Sequence, residues 1–423
     1  MTDIFDALAN GAELSKAALS SRFDVERDTP DLLDAVASDF PIIRRIVASL
    51  RNSLPLVPHA RIGAVGGFVR IPNHYRSVAC LITSGETQDA AGAIVFKGTE
   101  PLLPDFPGYF EWMLGAPFRG SYLPLALHFP LEMKLPPAAM WLEESVIEQE
   151  VTSRIQRQYL AQHGRVARLP VPLFVFEMTA EQVDCYRRVV RARLSPAAFS
   201  RIAAKVASGL GVEVYYYPRL PVRAADLLVP EVKQAFRPVL SDAALDGTFS
   251  DWIELMGDLL VLGYMPYAPW NRSMGGCVDP GNACIDGGFN DLLTIVPFDS
   301  IPGEQLFWRG LKQSIGLLAD SIVTMCSVAN DTGPPSSPEP PAAAVAYVTE
   351  GLRDHIRSQP RNTVDPRLLR FFERPSIEDV IRHIRESQRG SGAAQFRWPA
   401  PSMTTPAEPE TESHSRRPEV VGT

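Results

Sequence analysis

The sequence contains no CxxC pair, no HxxxH or HExxH and no GxSxG. The first absence removes the zinc ribbon, the second a helix-borne zinc or di-iron site, and the third the nucleophile elbow common among hydrolases. Five cysteines, Cys80, Cys185, Cys277, Cys284 and Cys326, are odd in number and scattered, which argues against a disulfide framework. Reduced thiols are the expectation. No window reaches 18 uninterrupted apolar residues, and Asp258 breaks the run from Leu255 to Leu262, so no membrane span is predicted. The stretch from Met1 to Leu19 carries Asp3 and Asp6 and has neither the basic start nor the apolar centre of a secretory leader; a cytoplasmic protein is expected. Basic blocks are missing too. Lysine and arginine total 41 against 49 acidic residues, a net charge of −8, which disfavours a nucleic-acid partner.

What is present is a folding composition. Over 423 residues, 45% are hydrophobic and 21% charged, enough for two domains or one large bilobal one. The 38 prolines cluster in two places that lack the apolar surface to fold, 330–342 (a linker) and 390–423 (a tail expected to be disordered). The remaining divisions are a helical N-terminal extension over 1–60, a sheet-rich lobe with one long helix over 61–226, a helical lobe over 227–329 and C-terminal helices over 343–389. Strand-like runs fill 61–100 and return over 121–135. The clearest helix spans about 138–162, with Val146, Ile147, Val151, Ile155 and Tyr159 at helical spacing and Gly164 as its stop. Strands at 171–177 and 212–217 and helices near 180–193 and 196–208 follow. The expected class is α+β in a two-lobed arrangement.

Two places concentrate residues able to do chemistry. Lys97 ends the β-branched run AIVFKG, and the long helix after it carries Glu143, Glu144, Glu148 and Glu150. Glu148, mid-helix and flanked by Ile147 and Val151, is the favoured partner for Lys97; the competing reading is a solvated strand end and a wet helix face. The second place is Asn271 to Asp291, NRSMGGCVDPGNACIDGGFND, with three asparagines, three aspartates and five glycines. Carboxylate and carboxamide oxygens on tight turns suit a hard cation such as Mg2+, although Asp, Asn, Gly and Pro are also what turns are made of. A hairpin turning at Asp279-Pro280-Gly281-Asn282 is expected. Gly63, Gly66 and Gly67 hint at a phosphate loop or a simple turn. Val214 to Leu227, with Arg219, Arg223 and Asp226, reads as a strand leading into a capped helix or as a nucleotide-contacting hinge. His128 and Glu132 share one face of a possible strand, a pattern that surface residues give freely.

Together these features resemble the protein-kinase-like superfamily, including the aminoglycoside phosphotransferases and the selenoprotein O pseudokinases. The segment Gly275 to Asn282, GGCVDPGN, resembles their GDLHPGN catalytic loop, and Ile285 to Phe289, IDGGF, resembles their IDFG or IDYG. The resemblance implies a two-lobed kinase-like fold, ATP and Mg2+ as cofactors, and a small-molecule or protein acceptor. It further implies that Lys97 contacts phosphates and is oriented by Glu148, that Gly66, Gly67 and Arg219 line the nucleotide, and that Asn282 and Asp286 hold metal, with Asn271 and Asp291 as alternates. The chain departs from the family at Cys277, five positions before Asn282, where the family has its catalytic aspartate. Two further readings therefore stand beside an ATP-dependent phospho- or adenylyltransferase: a non-catalytic binding or scaffold protein of that shape, and an unrelated α+β enzyme of specialised metabolism.

Overall fold

The computed structural model describes residues 12–14, 20–52, 54–56, 64–65, 68–69, 77–83, 90–98, 140–193, 196–228, 230–267, 276–331 and 340–373. Along the chain the main elements are β1 (Ser20–Asp24), α1 (Pro30–Asp39), α2 (Ile43–Asn52), β2 (Ser77–Thr83), β3 (Ala90–Lys97), β4 (Met140–Trp141), α3 (Leu142–His163) and β5 (Val171–Glu177). They continue with α4 (Ala180–Arg193), α5 (Pro196–Ala207), β6 (Leu210–Tyr217), α6 (Asp242–Val261), β7 (Tyr264–Met265), β8 (Val296–Pro297), α7 (Glu304–Ala329), α8 (Ala342–Ser358) and α9 (Pro366–Glu373). The class is α+β. No helix among the described residues is long and apolar enough to cross a membrane.

The six-stranded sheet is antiparallel, in the order β1-β5-β6-β3-β2, with β4 also paired to β6. Strand β6 is its centre. Lys97 to Ala93 of β3 lie opposite Glu213 to Tyr217, and Met140–Trp141 lie opposite Gly211–Leu210. Since β5 takes the other edge of β6, β3 and β4 are successive pieces of one strand line, which the chain leaves at Gly98 (φ 81°) and rejoins at Met140. Helix α3 therefore starts from the same edge on which Lys97 ends. The stretch 1–60, expected as a helical extension, also supplies the edge strand β1.

Every residue of β6 is buried, because both sheet faces are covered. Side chains alternate along a strand, so Val212, Val214 and Tyr216 join Ile94, Phe96, Phe174 and Phe176 against α1 and α2, where Leu32, Leu33, Ile46 and Val47 pack. Tyr215 and Tyr217 face the other way, with Val95, Ile155, Tyr159, Phe249 and Trp252 in the core shared with the helices. Glu213 belongs to this second face by register. Helix α3 ends at Gly164, whose left-handed φ of 69° lets its N–H cap the Leu160 carbonyl. Its buried side is unusually polar, including Ser145, Glu148, Gln149, Thr152 and Gln156, while Ile147, expected on the apolar stripe, is exposed. Asp258 of α6 ties three helices together, meeting the Tyr159 hydroxyl at 3.2 Å and His355 Nε2 at 3.0 Å.

The hairpin in the Asp/Asn/Gly cluster turns at Asp286–Gly288, not at Asp279–Asn282. Ala283 pairs with Phe289, Cys284 N–H donates to Gly288 O, and Cys284 forms a second bridge with Arg223. Asp279-Pro280-Gly281-Asn282 instead forms a compact turn in which the Asn282 and Ala283 N–H groups donate to Asp279 O. The hairpin is anchored from several sides. Trp252 Nε1 donates to Cys284 O, Thr248 Oγ1 to Ile285 O, Ile285 N to Val222 O and Phe289 N to Arg168 O. This close docking explains the paired glycines. A Cβ on Gly288 would collide with the Tyr217 hydroxyl and the Arg168 carbonyl, and one on Gly287 (φ 88°) with Asp251.

Gly288→Ala is expected to lower the unfolding free energy by about 1–3 kcal/mol through overpacking. Gly164→Ala, at a left-handed position with open space around it, should cost only about 1–2 kcal/mol of backbone strain. Urea denaturation reads both, and an unchanged midpoint for Gly288→Ala would contradict the packing described.

Candidate functional site

Lys97 closes β3 with only 4% of its surface exposed. An ammonium at this depth requires charged partners. It has two: Glu148 Oε1 at 3.0 Å from α3 and Glu213 Oε2 at 3.3 Å from the neighbouring position on β6. The expected approach of Lys97 to Glu148 is thus present in the structure, and Glu213 is an addition that the sequence reading missed. Nζ also lies 5.3 Å from the centre of the Tyr215 ring. The Tyr215 hydroxyl meets the side-chain amide of Asn290, and the Asn290 Oδ1 accepts the Asp291 backbone N–H at 2.9 Å. A chain of contacts therefore links Lys97 to the residue that follows the hairpin.

That residue is Asp291. Its φ of 54° is positive, an uncommon conformation for a residue other than glycine and one that often marks functional positions. The Asn290 N–H donates to Asn282 O at 2.9 Å, so the hairpin starts just after Asn282 and delivers Asp291 beside it. Among the described residues no hydrogen bond or ion pair engages the Asp291 carboxylate, yet its charge is felt by Lys97, Glu148, Cys277, Asp279 and Arg223.

The electrostatics follow from one cation facing too many carboxylates. Burial works against the Lys97 charge, but Glu148, Glu213, Asp291 and the Tyr215 ring raise its pKa well above the ordinary value. Glu148 moves the other way: desolvation and then Glu213 push it up to about 8, with Lys97 only partly opposing. The surroundings thus favour the charged form of Lys97, while burial favours the neutral form of Glu148. Asp279 rises to about 7 through desolvation and then Asp291, with Arg223 and the Gly281 and Gly276 amides opposing.

The other predicted residues have different surroundings. Asp286 accepts the Leu220 N–H at 3.0 Å, the Gly288 N–H at 3.2 Å and the Tyr217 hydroxyl at 3.3 Å. It ties the hairpin turn to the end of β6, four residues along from Glu213 and so about 13 Å away by strand rise. The structure does not bring it to Lys97. Asn282 is buried, donating Nδ2–H to Gly276 O at 3.0 Å while its Oδ1 accepts from Arg223 Nη1 at 3.1 Å. Arg219 is exposed on the bend after β6, close enough to Asp286 to favour its charge. Gly66, Gly67 and Asn271 lie outside the described residues, as do Gly63, His128 and Glu132. Cys277 is fully buried, its thiol turned to Pro266 O at 3.7 Å and pushed well up in pKa by burial, then by Asp279 and Asp291.

Among the described residues no group of three or more His, Cys, Asp or Glu side chains is placed to hold a metal ion. Magnesium commonly needs fewer, taking one or two carboxylates and completing its shell with phosphate oxygens and water. Asp291 fits that donor set. Asn282 does not, since its Oδ1 already faces a guanidinium. The chain matches no protein-family model, no curated protein and no solved structure.

The Glu148 shift has a sign that can be checked. Between its ordinary value of 4.5 and about 8, the folded chain retains a proton that the unfolded chain releases, so this group's contribution to stability falls as pH rises across that window. Glu148→Gln abolishes the effect. From pH 5 to pH 8 the thermal midpoint of the variant should gain on that of the parent by a few degrees, at roughly 1 °C per kcal/mol for a chain of this length. Parallel pH curves would show that Glu148 is ionised in the folded chain.

Proposed function

We propose that the chain is a nucleotide- and magnesium-dependent transferase with a two-lobed, kinase-like arrangement. The observation that carries this reading is the convergence of Lys97, held by Glu148 of the following helix, with Asp291, the carboxylate delivered by the hairpin after the Asn282 turn. The strand order around β6 and the position of β4, on the line of β3 and immediately before α3, support it. Lysine from a strand, glutamate from the next helix and a metal-holding aspartate from the other lobe are the parts by which such enzymes position a nucleotide.

Each group has a definite task in this reading. Lys97 has three N–H donors; Glu148 and Glu213 engage the ammonium on two sides, leaving donor capacity for a phosphate oxygen. Glu148 fixes where the ammonium points. Asp291 would hold the magnesium, which supplies positive charge to the phosphates. The strand end after Tyr217, with Arg219, adjoins the adenine side. The acceptor is a small molecule or a protein, and the group moved is phosphoryl or AMP, since both transfers rest on positioning and charge stabilisation.

A non-catalytic nucleotide-binding protein of the same shape is the second reading, and Cys277 favours it. A buried thiol bonded to a backbone carbonyl cannot accept a proton from an incoming hydroxyl. Magnesium-dependent turnover of ATP separates the two.

The expected result for the shared part is a rise in thermal midpoint with Mg-ATP. A ligand at one hundred times its dissociation constant adds about 2.7 kcal/mol to a native state it alone binds, roughly 3 °C for a chain of this length. Asp291→Asn should abolish the magnesium-dependent part. Lys97→Ala should lose the whole shift, but it also strands two carboxylates and costs about 3–5 kcal/mol of stability, so Asp291→Asn is the cleaner variant. No shift at millimolar Mg-ATP would overturn the proposal.

A further inference from the structure

Arg223 is the most deeply buried guanidinium of the described core, 1% exposed, and it stands where the resemblance would place a metal ion. Its position is set by backbone. The Arg223 N–H donates to Asp226 Oδ2 at 2.9 Å, and Ala224 N and Ala225 N donate to Ala283 O and Pro280 O, each at 2.8 Å. The segment after β6 is thereby stitched along the Pro280–Cys284 turn, and the side chain enters beneath it. Nη1 donates to Gly281 O at 2.7 Å and to Asn282 Oδ1 at 3.1 Å. Nε and Nη2 have no hydrogen-bond partner among the described residues. Burial works against the guanidinium's charge and outweighs Asp226, Asp279 and Asp291 around it, whose charges favour it.

From this arrangement we propose that Arg223 takes the place of one of two metal ions, so that the site binds a single divalent cation, at Asp291, and none at Asn282. The inference deepens the nucleotide reading and rests on it. Magnesium sits about 2.1 Å from an oxygen ligand, so an ion on Asn282 Oδ1 would lie at most about 5 Å from Arg223 Nη1. Two cations at that separation, away from water, repel strongly. A guanidinium does not relieve the conflict by losing its proton, and the Gly281 carbonyl and the stitched backbone hold it in place. The charge that a second metal would bring is already present as a fixed group of the chain. Its Nε and Nη2 hydrogens, buried and without acceptors among the described residues, add to the positive charge fixed beside Asn282.

The test is a count of Mn2+ on the full chain with a saturating non-hydrolysable ATP analogue, by electron paramagnetic resonance of free manganese, with nucleotide occupancy measured in parallel. One manganese per bound nucleotide is expected. Two per nucleotide would overturn the inference and leave the nucleotide site standing. Absence of nucleotide binding would overturn the nucleotide reading and this inference with it. Arg223→Gln removes the fixed charge, and where it folds it should admit a second manganese; a folded variant still holding one would also count against Arg223 as the substitute. The count on the unaltered chain decides the matter even if the variant does not fold.

Discussion

One positive charge buried beside two carboxylates organises this molecule. Lys97, Glu148 and Glu213 come from three elements that meet only if β3, β6 and α3 hold their observed register. A buried ion pair is not a strong source of stability, because desolvation offsets much of the attraction, but losing one partner strands the others at high cost. The triad therefore acts more as a constraint on geometry than as cement. A one-residue slip of β3 against β6 would turn Lys97 to the opposite face, towards Val214 and Phe174 and away from Glu148 and Glu213.

The hairpin supplies the second constraint. Its turn is clamped by Arg168, Asp251 and Tyr217, and its first strand by Val222 and Trp252, so the position of Asp291 is inherited from the body rather than chosen by its own loop. Asp286, which resembles a metal ligand in sequence, serves this anchoring instead. The same contacts that consume its oxygens leave Asp291 to stand among Lys97, Asp279 and Arg223, its carboxylate without a hydrogen bond among the described residues. The carboxylate that matches the motif and the one that stands among these charges are separated by five residues.

Part of this was legible in the sequence. The α3 periodicity, its Gly164 stop, the strands at 171–177 and 212–217 and the closeness of Lys97 to Glu148 follow from local pattern and element order. Glu213 gave a signal that could have been used: it is the lone charge in LGVEVYYY, and a carboxylate inside a fully buried strand must find a cation. The hairpin turn was not decidable locally, since DPGN and DGG are both good turn sequences. The approach of Tyr217 and Arg168 to Gly288 selected between them, and that is a tertiary fact. Arg223 was equally hidden. Nothing in PVRAAD says that the arginine folds inward, because the bonds that draw it there come from Pro280, Gly281, Asn282 and Ala283, nearly sixty residues away.

Taken together, the charges explain why Arg223 and Lys97 must both be where they are. Asp291 influences both, so the two clusters form one electrostatic unit in which two fixed cations face Glu148, Glu213, Asp226, Asp279 and Asp291. Five carboxylates outnumber two positive charges, and burial disfavours the charged form of several: desolvation raises Glu148 to about 8 and Asp226 and Asp279 to about 7, with like charges adding for Glu148 and Asp279. Removing Lys97 would leave Glu148 and Glu213 without their cation, and removing Arg223 would leave Asp226, Asp279 and Asp291 without theirs. Each cation thus neutralises a different part of the same unit, with Asp291 as the part they share. Under the proposed nucleotide reading, a ligand that brings negative phosphates into such a unit needs positive charge held at the point of entry, and Asp291, whose carboxylate is bonded to neither cation, is the group proposed to hold it.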